Sequence, residues 1–174
     1  GIWAIWDEPF LQYFAKNVGK SNKPFMTTVF TASSHHPFKI PAQYEGKFKK
    51  GFVEMHEPIQ YADYALKKYF ETARKQPWYE NTIFVITGDH TNKIYYPEYA
   101  KAMNGYAVPI IFYAPNPKYN LKGKNMTYAQ QIDIYPTLAD IIGYNKPLRS
   151  WGRSLVSDKN EEYIVVNSDA IQEQ

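Results

Sequence analysis

The sequence predicts an α/β domain in which helices flank a layered sheet. Runs rich in β-branched and aromatic residues predict four strands, at residues 25–31, 82–86, 107–114 and 162–167. Apolar residues at helical spacing predict three helices, at residues 7–19, 57–76 and 133–143. Strands that alternate with helices along the chain are typical of layered α/β domains.

Local signals place the helix boundaries. Asp7 is expected to cap the first helix, Pro9 suits its first turn, and Gly19 suits its end. Pro77 is expected to stop the second helix. Its predicted apolar stripe consists of Ile59, Ala62, Leu66, Tyr69, Phe70 and Ala73. Asp133 is expected to cap the third helix.

Composition excludes several classes of protein. The 174 residues are 44% apolar and 21% charged, which is typical of a globular chain with one core. A net charge of +3 with mixed signs argues against a nucleic-acid partner. Cysteine is absent, so neither disulfides nor a cysteine nucleophile are present. The uncharged run at residues 106–117 is too short to span a bilayer.

Aromatic residues are abundant, with 16 Tyr and 10 Phe. Tyrosine offers a large contact surface with a polar end, as at saccharide sites and domain interfaces. An aromatic-rich core and surface explains the same composition.

The run at residues 82–86 carries no charge, which predicts a strand buried on both faces. It leads into Thr87-Gly88-Asp89-His90, and Gly88 permits conformations or close approaches that a Cβ would block. Ligands of open α/β sheets bind beyond the carboxyl ends of strands, and carboxylate and imidazole are common metal ligands. Two interpretations fit: a metal site, or a loop end capped by Asp89 with His90 on the surface.

A second predicted strand, at residues 25–31, leads into His35 and His36. If the two strands were parallel neighbours, both histidines would converge with Asp89 and His90 on one edge of the sheet. Such a cluster could hold a divalent metal that activates a nucleophile or stabilises a phosphoryl or sulfuryl oxygen. Loop histidines are also often merely solvated. The sequence contains no Gly-x-Ser-x-Gly elbow, P-loop or Gly-x-Gly-x-x-Gly motif.

Five segments together resemble the sulfatase-type family that includes lipoteichoic acid synthases and bacterial phosphoglycerol transferases. They follow that family's order and lie at residues 23–38, 61–66, 81–90, 131–138 and 151–155. The family belongs to the alkaline phosphatase superfamily, so the resemblance implies an alkaline phosphatase-like fold, present as a partial domain.

The resemblance also implies residue roles. Asp89 and His90 match two metal ligands, for a divalent Mn, Ca, Mg or Zn ion. His35 matches the active-site histidine that contacts the phosphate or sulfate group of the substrate. His36 occupies an adjoining substrate-binding position, where relatives often carry another residue. Asp133 lies in a segment that is mainly structural.

The nucleophile and a further acidic ligand of that family lie upstream of the matching region. We therefore expect residues 1–174 to form the carboxyl-terminal part of a sulfatase-like catalytic domain, which alone binds metal weakly and lacks turnover. The implied substrate is a sulfate or phosphate ester, such as a glycolipid or polysaccharide. The implied location is the extracytoplasmic face of a bacterial membrane, with the parent protein membrane-anchored.

Two other hypotheses remain open at the level of sequence. The chain could be a non-catalytic α/β module that binds a saccharide or a protein partner. It could also be a structural segment whose sheet is completed by a partner chain.

Overall fold

The computed structural model describes residues 3–20, 23–91, 93–101, 104–157 and 163–165. Within these ranges the α-helices are Asp7–Asn17 (α1), His56–Ala73 (α2) and Ile134–Ile141 (α3). The strands are Phe84–Thr87 (β1) and Ile110–Tyr113 (β2). The chain divides into two compact units, Gly1–Asn81 and Thr82–Gln174.

The first unit is built on the packing of α1 against α2. Alanine lines the contact, because Ala15, Ala65 and Ala73 are each 0% exposed, and small side chains allow two helices to approach closely. Phe14 stacks on Tyr69 with ring centroids 6.0 Å apart. The core of this unit is therefore an interhelical seam of small and aromatic side chains.

Both predicted helices of this unit are present, with two corrections. Asp7 is not the cap of α1: Trp6 is the N-cap, and the Asp7 carboxylate turns instead to a distant loop. The predicted stripe of α2 is confirmed at Tyr69 and Ala73, which are buried. It is offset in the first half of the helix, since Ile59 is 45% exposed while Pro58, Tyr61 and Ala65 are buried. The helix turns the face with the alanines toward α1, because that face allows the closest approach.

The second unit contains the β1–β2 hairpin and α3. The two strands are antiparallel, with Phe84 opposite Tyr113 and Thr87 opposite Ile110. Only Phe84 of β1 is buried, so the prediction that this strand is buried on both faces is wrong. The β2 prediction is confirmed, and α3 begins one residue after Asp133.

Two other predicted strands are not found as such. Residues 25–31 belong to no strand and are largely exposed, with Met26 at 79% and Phe30 at 73%. A β-prone composition forms a strand only when another strand accepts its backbone hydrogen bonds. Of the predicted strand at 162–167, residues 163–165 are not a strand, and the others lie outside the described residues.

We predict that the first unit loses stability at alkaline pH. Burial raises the pKa of Tyr61 and of Tyr69 from 10.0 to about 12. Between pH 10 and 12 the unfolded chain releases these protons while the folded chain retains them. The contribution of each tyrosine to the free energy of unfolding should therefore be constant below pH 10 and then fall by up to about 1.4 kcal/mol per pH unit.

Urea unfolding from pH 8 to pH 12 measures this slope. Tyr69→Phe should reduce it, whereas Tyr13→Phe, at a position that is 67% exposed, should leave it unchanged. Equal slopes of unfolding free energy against pH in Tyr69→Phe and Tyr13→Phe would contradict the assignment of this pH dependence to Tyr69.

Candidate functional site

His35 lies in a tight turn of the first unit. The backbone N–H of His35 donates to the carbonyl of Ala32 at 3.2 Å, and the N–H of Phe38 donates to the carbonyl of His35 at 3.1 Å. The His35 ring is exposed, and its Nδ1 lies 2.9 Å from the carbonyl oxygen of His36. A carbonyl only accepts, so Nδ1 carries the hydrogen. In the neutral ring, Nε2 then keeps its lone pair.

A buried carboxylate holds this turn in place. Asp7 is 2% exposed, and its Oδ1 accepts from the backbone N–H of Ser33 at 3.0 Å, the N–H of Ala32 at 3.3 Å and the Ser33 hydroxyl at 2.6 Å. The backbone N–H of Asp7 donates to the Ser33 Oγ at 2.9 Å. The first residue of α1 is thus bonded to the segment two residues before His35. Sequence reasoning missed this contact.

The surroundings of His35 are aromatic and carry one cationic side chain. Trp3 meets the His35 ring edge-on, with centroids 5.5 Å apart. A cavity of about 20 Å³ is lined by both of these rings and by Ser33 and Lys39, among others. This volume is sufficient for about one water molecule. Trp3 and Lys39 are therefore candidate substrate contacts that no sequence motif identified.

His36 is placed differently from His35. Its ring packs against Phe38, with centroids 5.6 Å apart, while its carbonyl accepts from the His35 ring. Phe38 is buried at φ 58°, in the left-handed region that bulky residues rarely adopt. In this structure His36 contributes to the site through its backbone, by fixing the tautomer of His35.

Asp89 and His90 lie just after β1 in the second unit. Oδ1 of Asp89 accepts from the backbone N–H of His90 at 2.9 Å, and its Oδ2 lies 3.4 Å from Nε2 of His90. The Nδ1 of His90 is 2.8 Å from the carbonyl oxygen of Thr91 and so carries the hydrogen. Both side chains are about half exposed, at 58% and 50%.

This geometry fits a shared metal ion. Two ligand atoms that each bind a metal at about 2.1 Å in tetrahedral geometry lie about 3.4 Å apart. A carbonyl that accepts from Nδ1 is the usual outer partner of a metal-bound histidine, because it directs the Nε2 lone pair to the ion. Among the described residues, no cluster of three or more metal-ligating side chains is present. The pair can therefore supply part of a metal site.

Gly88 is less constrained than the sequence suggests. Its φ is not in the left-handed region, and an added Cβ would lie 3.3 Å from Cγ1 of Val108. This contact is tight but involves a side chain that can shift.

A second buried carboxylate organises the end of the second unit. Asp133 is 3% exposed and accepts from the backbone N–H of Gln130 at 2.8 Å and from that of Arg153 at 2.9 Å. Gly152 packs so closely that an added Cβ would lie 2.2 Å from the carbonyl oxygen of Ile132. The structural role predicted for Asp133 is thus present, although its carboxylate joins two segments and does not cap α3.

The structure brings Asp89 and His90 together, and it places His35 and His36 in the other unit. The prediction that two parallel strands bring all four residues to one sheet edge is wrong, because residues 25–31 form no strand and β1 pairs antiparallel with β2. Asp7, Ser33, Trp3 and Lys39 are the residues near His35 that the sequence did not identify. The only available signal was the acidic residue six positions after Gly1, which we interpreted as a cap.

Comparison with solved structures identifies the superfamily to which the fold belongs. The chain is similar to a protein of the alkaline phosphatase superfamily from Vibrio parahaemolyticus, with a TM-score of 0.73 and 27% identity. The match covers 90% of this chain and 38% of that one. The fold is therefore that of the alkaline phosphatase superfamily, as a partial domain.

The family follows from sequence comparison. The Sulfatase family model matches residues 2–144, and the chain belongs to the sulfatase family. It is 24% identical to lipoteichoic acid synthase 1 of Bacillus subtilis and 26% identical to lipoteichoic acid synthase of Staphylococcus aureus (strain USA300). Each match covers 91% of this chain and 27% of the relative, so the chain spans about a quarter of their length. No described helix is long and apolar enough to cross a membrane.

We predict that Asp7 and Ser33 stabilise the first unit as a coupled pair. Asp7→Ala leaves buried donors without an acceptor and should lower the free energy of unfolding by about 3 kcal/mol. Ser33→Ala should cost about 1–2 kcal/mol. Because the two side chains bond to each other, the double variant should lose about 1–2 kcal/mol less than the sum.

Urea unfolding of the two single variants and the double variant gives this coupling energy. Ser34→Ala, at the next position, is the matched control and should change stability by no more than about 0.5 kcal/mol. Additive losses from Asp7→Ala and Ser33→Ala would contradict the pairing.

Proposed function

We propose that this chain forms the carboxyl-terminal part of a metal-dependent enzyme that transfers phosphoglycerol groups, with Asp89 and His90 as metal ligands and His35 as a contact to the substrate phosphate. The observation that carries the proposal is the Asp89–His90 pair, whose 3.4 Å spacing and oriented imidazole suit a divalent ion. By this proposal, the 174 residues alone bind metal weakly and lack turnover, since two ligands rarely hold a catalytic ion tightly.

The chain's own residues have separable tasks. Asp89 and His90 would bind a divalent Mn, Ca, Mg or Zn ion, which when bound polarises a phosphoryl or sulfuryl oxygen and activates a nucleophile. The Nδ1–H of His35 bonds to the His36 carbonyl, so Nε2 is the ring nitrogen left for a substrate contact. When that nitrogen is protonated, it can donate to a phosphate oxygen of the substrate. Lys39 beside it adds positive charge for the same anion.

Phosphoglycerol transfer is favoured over sulfate-ester hydrolysis by the relatives. Those that match 91% of this chain are named lipoteichoic acid synthases of Bacillus subtilis and Staphylococcus aureus. A phosphodiester of glycerol on a glycolipid carrier is therefore the proposed substrate. The proposed location is the extracytoplasmic face of a bacterial membrane, where such a carrier would be accessible.

A second candidate function is saccharide or partner binding without catalysis. The segment after His90 exposes several tyrosines, including Tyr96 at 57% and Tyr106 at 72%. Exposed tyrosines can stack on sugar rings while their hydroxyls bond to water or ligand. This function would not require Asp89 or His90.

We predict that Asp89→Ala and His90→Ala in the full-length protein each abolish metal binding and lower activity more than 100-fold. Changing an outer partner of a metal ligand typically has an effect of about 10–100-fold, and removing a direct ligand should have a larger one. Both side chains are half exposed, so the unfolding midpoint should change little. Calorimetric titration with Mn²⁺ and a phosphodiester turnover assay measure these effects.

The matched control is Asp63→Ala, which removes an exposed carboxylate from α2. It should retain metal affinity and turnover. Full activity of the Asp89 and His90 variants would contradict their role as metal ligands. A protein without turnover whose variants keep their ligand affinity would favour the binding-module hypothesis.

We further predict that His35 and His36 differ in importance. His35→Ala removes the ring that faces the cavity and should lower turnover about 100-fold. His36→Ala keeps the backbone carbonyl that orients His35 and should lower it less than about 10-fold. Steady-state kinetics on both variants measure these losses of turnover. A larger loss in His36→Ala than in His35→Ala would contradict the assignment of the substrate contact to His35.

A further inference from the structure

We propose that Gln131 is a positioning residue that sets the direction of the Asp89 and His90 side chains. It lies 42 residues from Asp89 in sequence, in a segment for which the sequence suggested only a structural role. The proposal rests on the proposed function, because it concerns how the candidate metal ligands are held.

The contact is a two-pronged hydrogen bond to the ligand-bearing turn. The side-chain amide nitrogen of Gln131 donates to the carbonyl oxygen of Gly88 at 2.7 Å and to that of Asp89 at 2.9 Å. Both partners are acceptors only, so the NH₂ group must face them, and this fixes the orientation of the amide. Each of the two N–H bonds of the Gln131 amide can then donate to one of these carbonyls.

The two carbonyls belong to the successive peptide planes on either side of the Asp89 Cα. A peptide plane is rigid, and the two soft torsions between these planes are φ and ψ of Asp89. A group that holds both planes therefore fixes both torsions, and with them the direction of the Asp89 Cα–Cβ bond. The peptide plane that contains the Asp89 carbonyl also contains the N–H of His90, which donates to Oδ1 of Asp89 at 2.9 Å.

Gln131 can exert this constraint because its own backbone is anchored. It opens the 3-10 turn Gln131–Asp133, in which the side chains of Gln130 and Asp133 form a reciprocal capping box. Asp133 is also bonded to the N–H of Arg153, and Gly152 packs against the carbonyl of Ile132. The base of the Gln131 side chain is thus attached to the buried part of the unit, while its amide reaches the exposed turn.

The energetic consequence should be local. The Gln131 side chain is exposed, so water can replace its bonds and global stability should change little. Alignment of two metal ligands is more demanding, because outer partners of metal ligands typically affect metal affinity by about 10–100-fold.

The test compares Gln131→Met with Gln60→Met in the full-length protein. Methionine keeps a similar length and removes both amide groups. Gln60 in α2 is a close match, because its amide nitrogen also donates to two backbone carbonyls, those of Lys49 at 2.7 Å and His56 at 3.0 Å, and all three residues belong to the first unit. The measurements are Mn²⁺ affinity by calorimetry, hydrogen exchange of the His90 amide in metal-free protein, and the thermal midpoint.

We expect Gln131→Met to weaken Mn²⁺ binding about 10-fold or more and to speed exchange at His90, with an unchanged midpoint. Gln60→Met should change neither affinity nor exchange at His90. Equal affinities for wild type and Gln131→Met, together with loss of binding in Asp89→Ala, would overturn the positioning role and leave the metal site intact. Equal affinities for wild type and Asp89→Ala would overturn the metal site itself, and the positioning role with it.

Discussion

Two buried aspartates, one in each unit, each fix a loop to the start of a helix. Asp7 opens α1 and Asp133 immediately precedes α3, and they are only 2% and 3% exposed. A buried carboxylate is costly unless hydrogen bonds replace its lost hydration. Backbone N–H groups of other segments do so here: those of Ala32 and Ser33 for Asp7, and those of Gln130 and Arg153 for Asp133. Because each carboxylate must find these donors to be buried at all, each one fixes a loop to the start of a helix.

These fixed loops are the ones on which the candidate site depends. The Asp7–Ser33 contact lies two residues before His35, and the Asp133 contact anchors the turn from which Gln131 reaches the Asp89 carbonyl. The functional side chains themselves are exposed or half exposed, so their own burial contributes little to placing them. Rigid support beneath an accessible group is what a catalytic site requires, because ligand and substrate atoms must be held within a fraction of an ångström.

The sequence was informative wherever a signal was local. Helical periodicity located α1, α2 and α3, and the run ending in Asp89 and His90 located β1. It was misleading where the outcome depended on distant partners. Asp7 has the position of a cap, yet its acceptor role depends on Ser33, 26 residues away. Residues 25–31 have strand composition, yet no strand pairs with them among the described residues. Gln131 carries no local signal, because its partners lie more than 40 residues away.

His35 and His90 each make the same local hydrogen bond, but the surroundings of the two rings differ. In both, Nδ1 bonds to the carbonyl of the following residue, at 2.9 Å for His35 and 2.8 Å for His90. This bond fixes the tautomer and leaves Nε2 to act. Beside Nε2 of His90 stands a carboxylate, so a cation is the species that can satisfy both groups. Beside His35 stand Trp3 and Lys39, so an anion with apolar surroundings suits that ring. The same tautomer is therefore fixed in both rings, while their surroundings suit ligands of opposite charge.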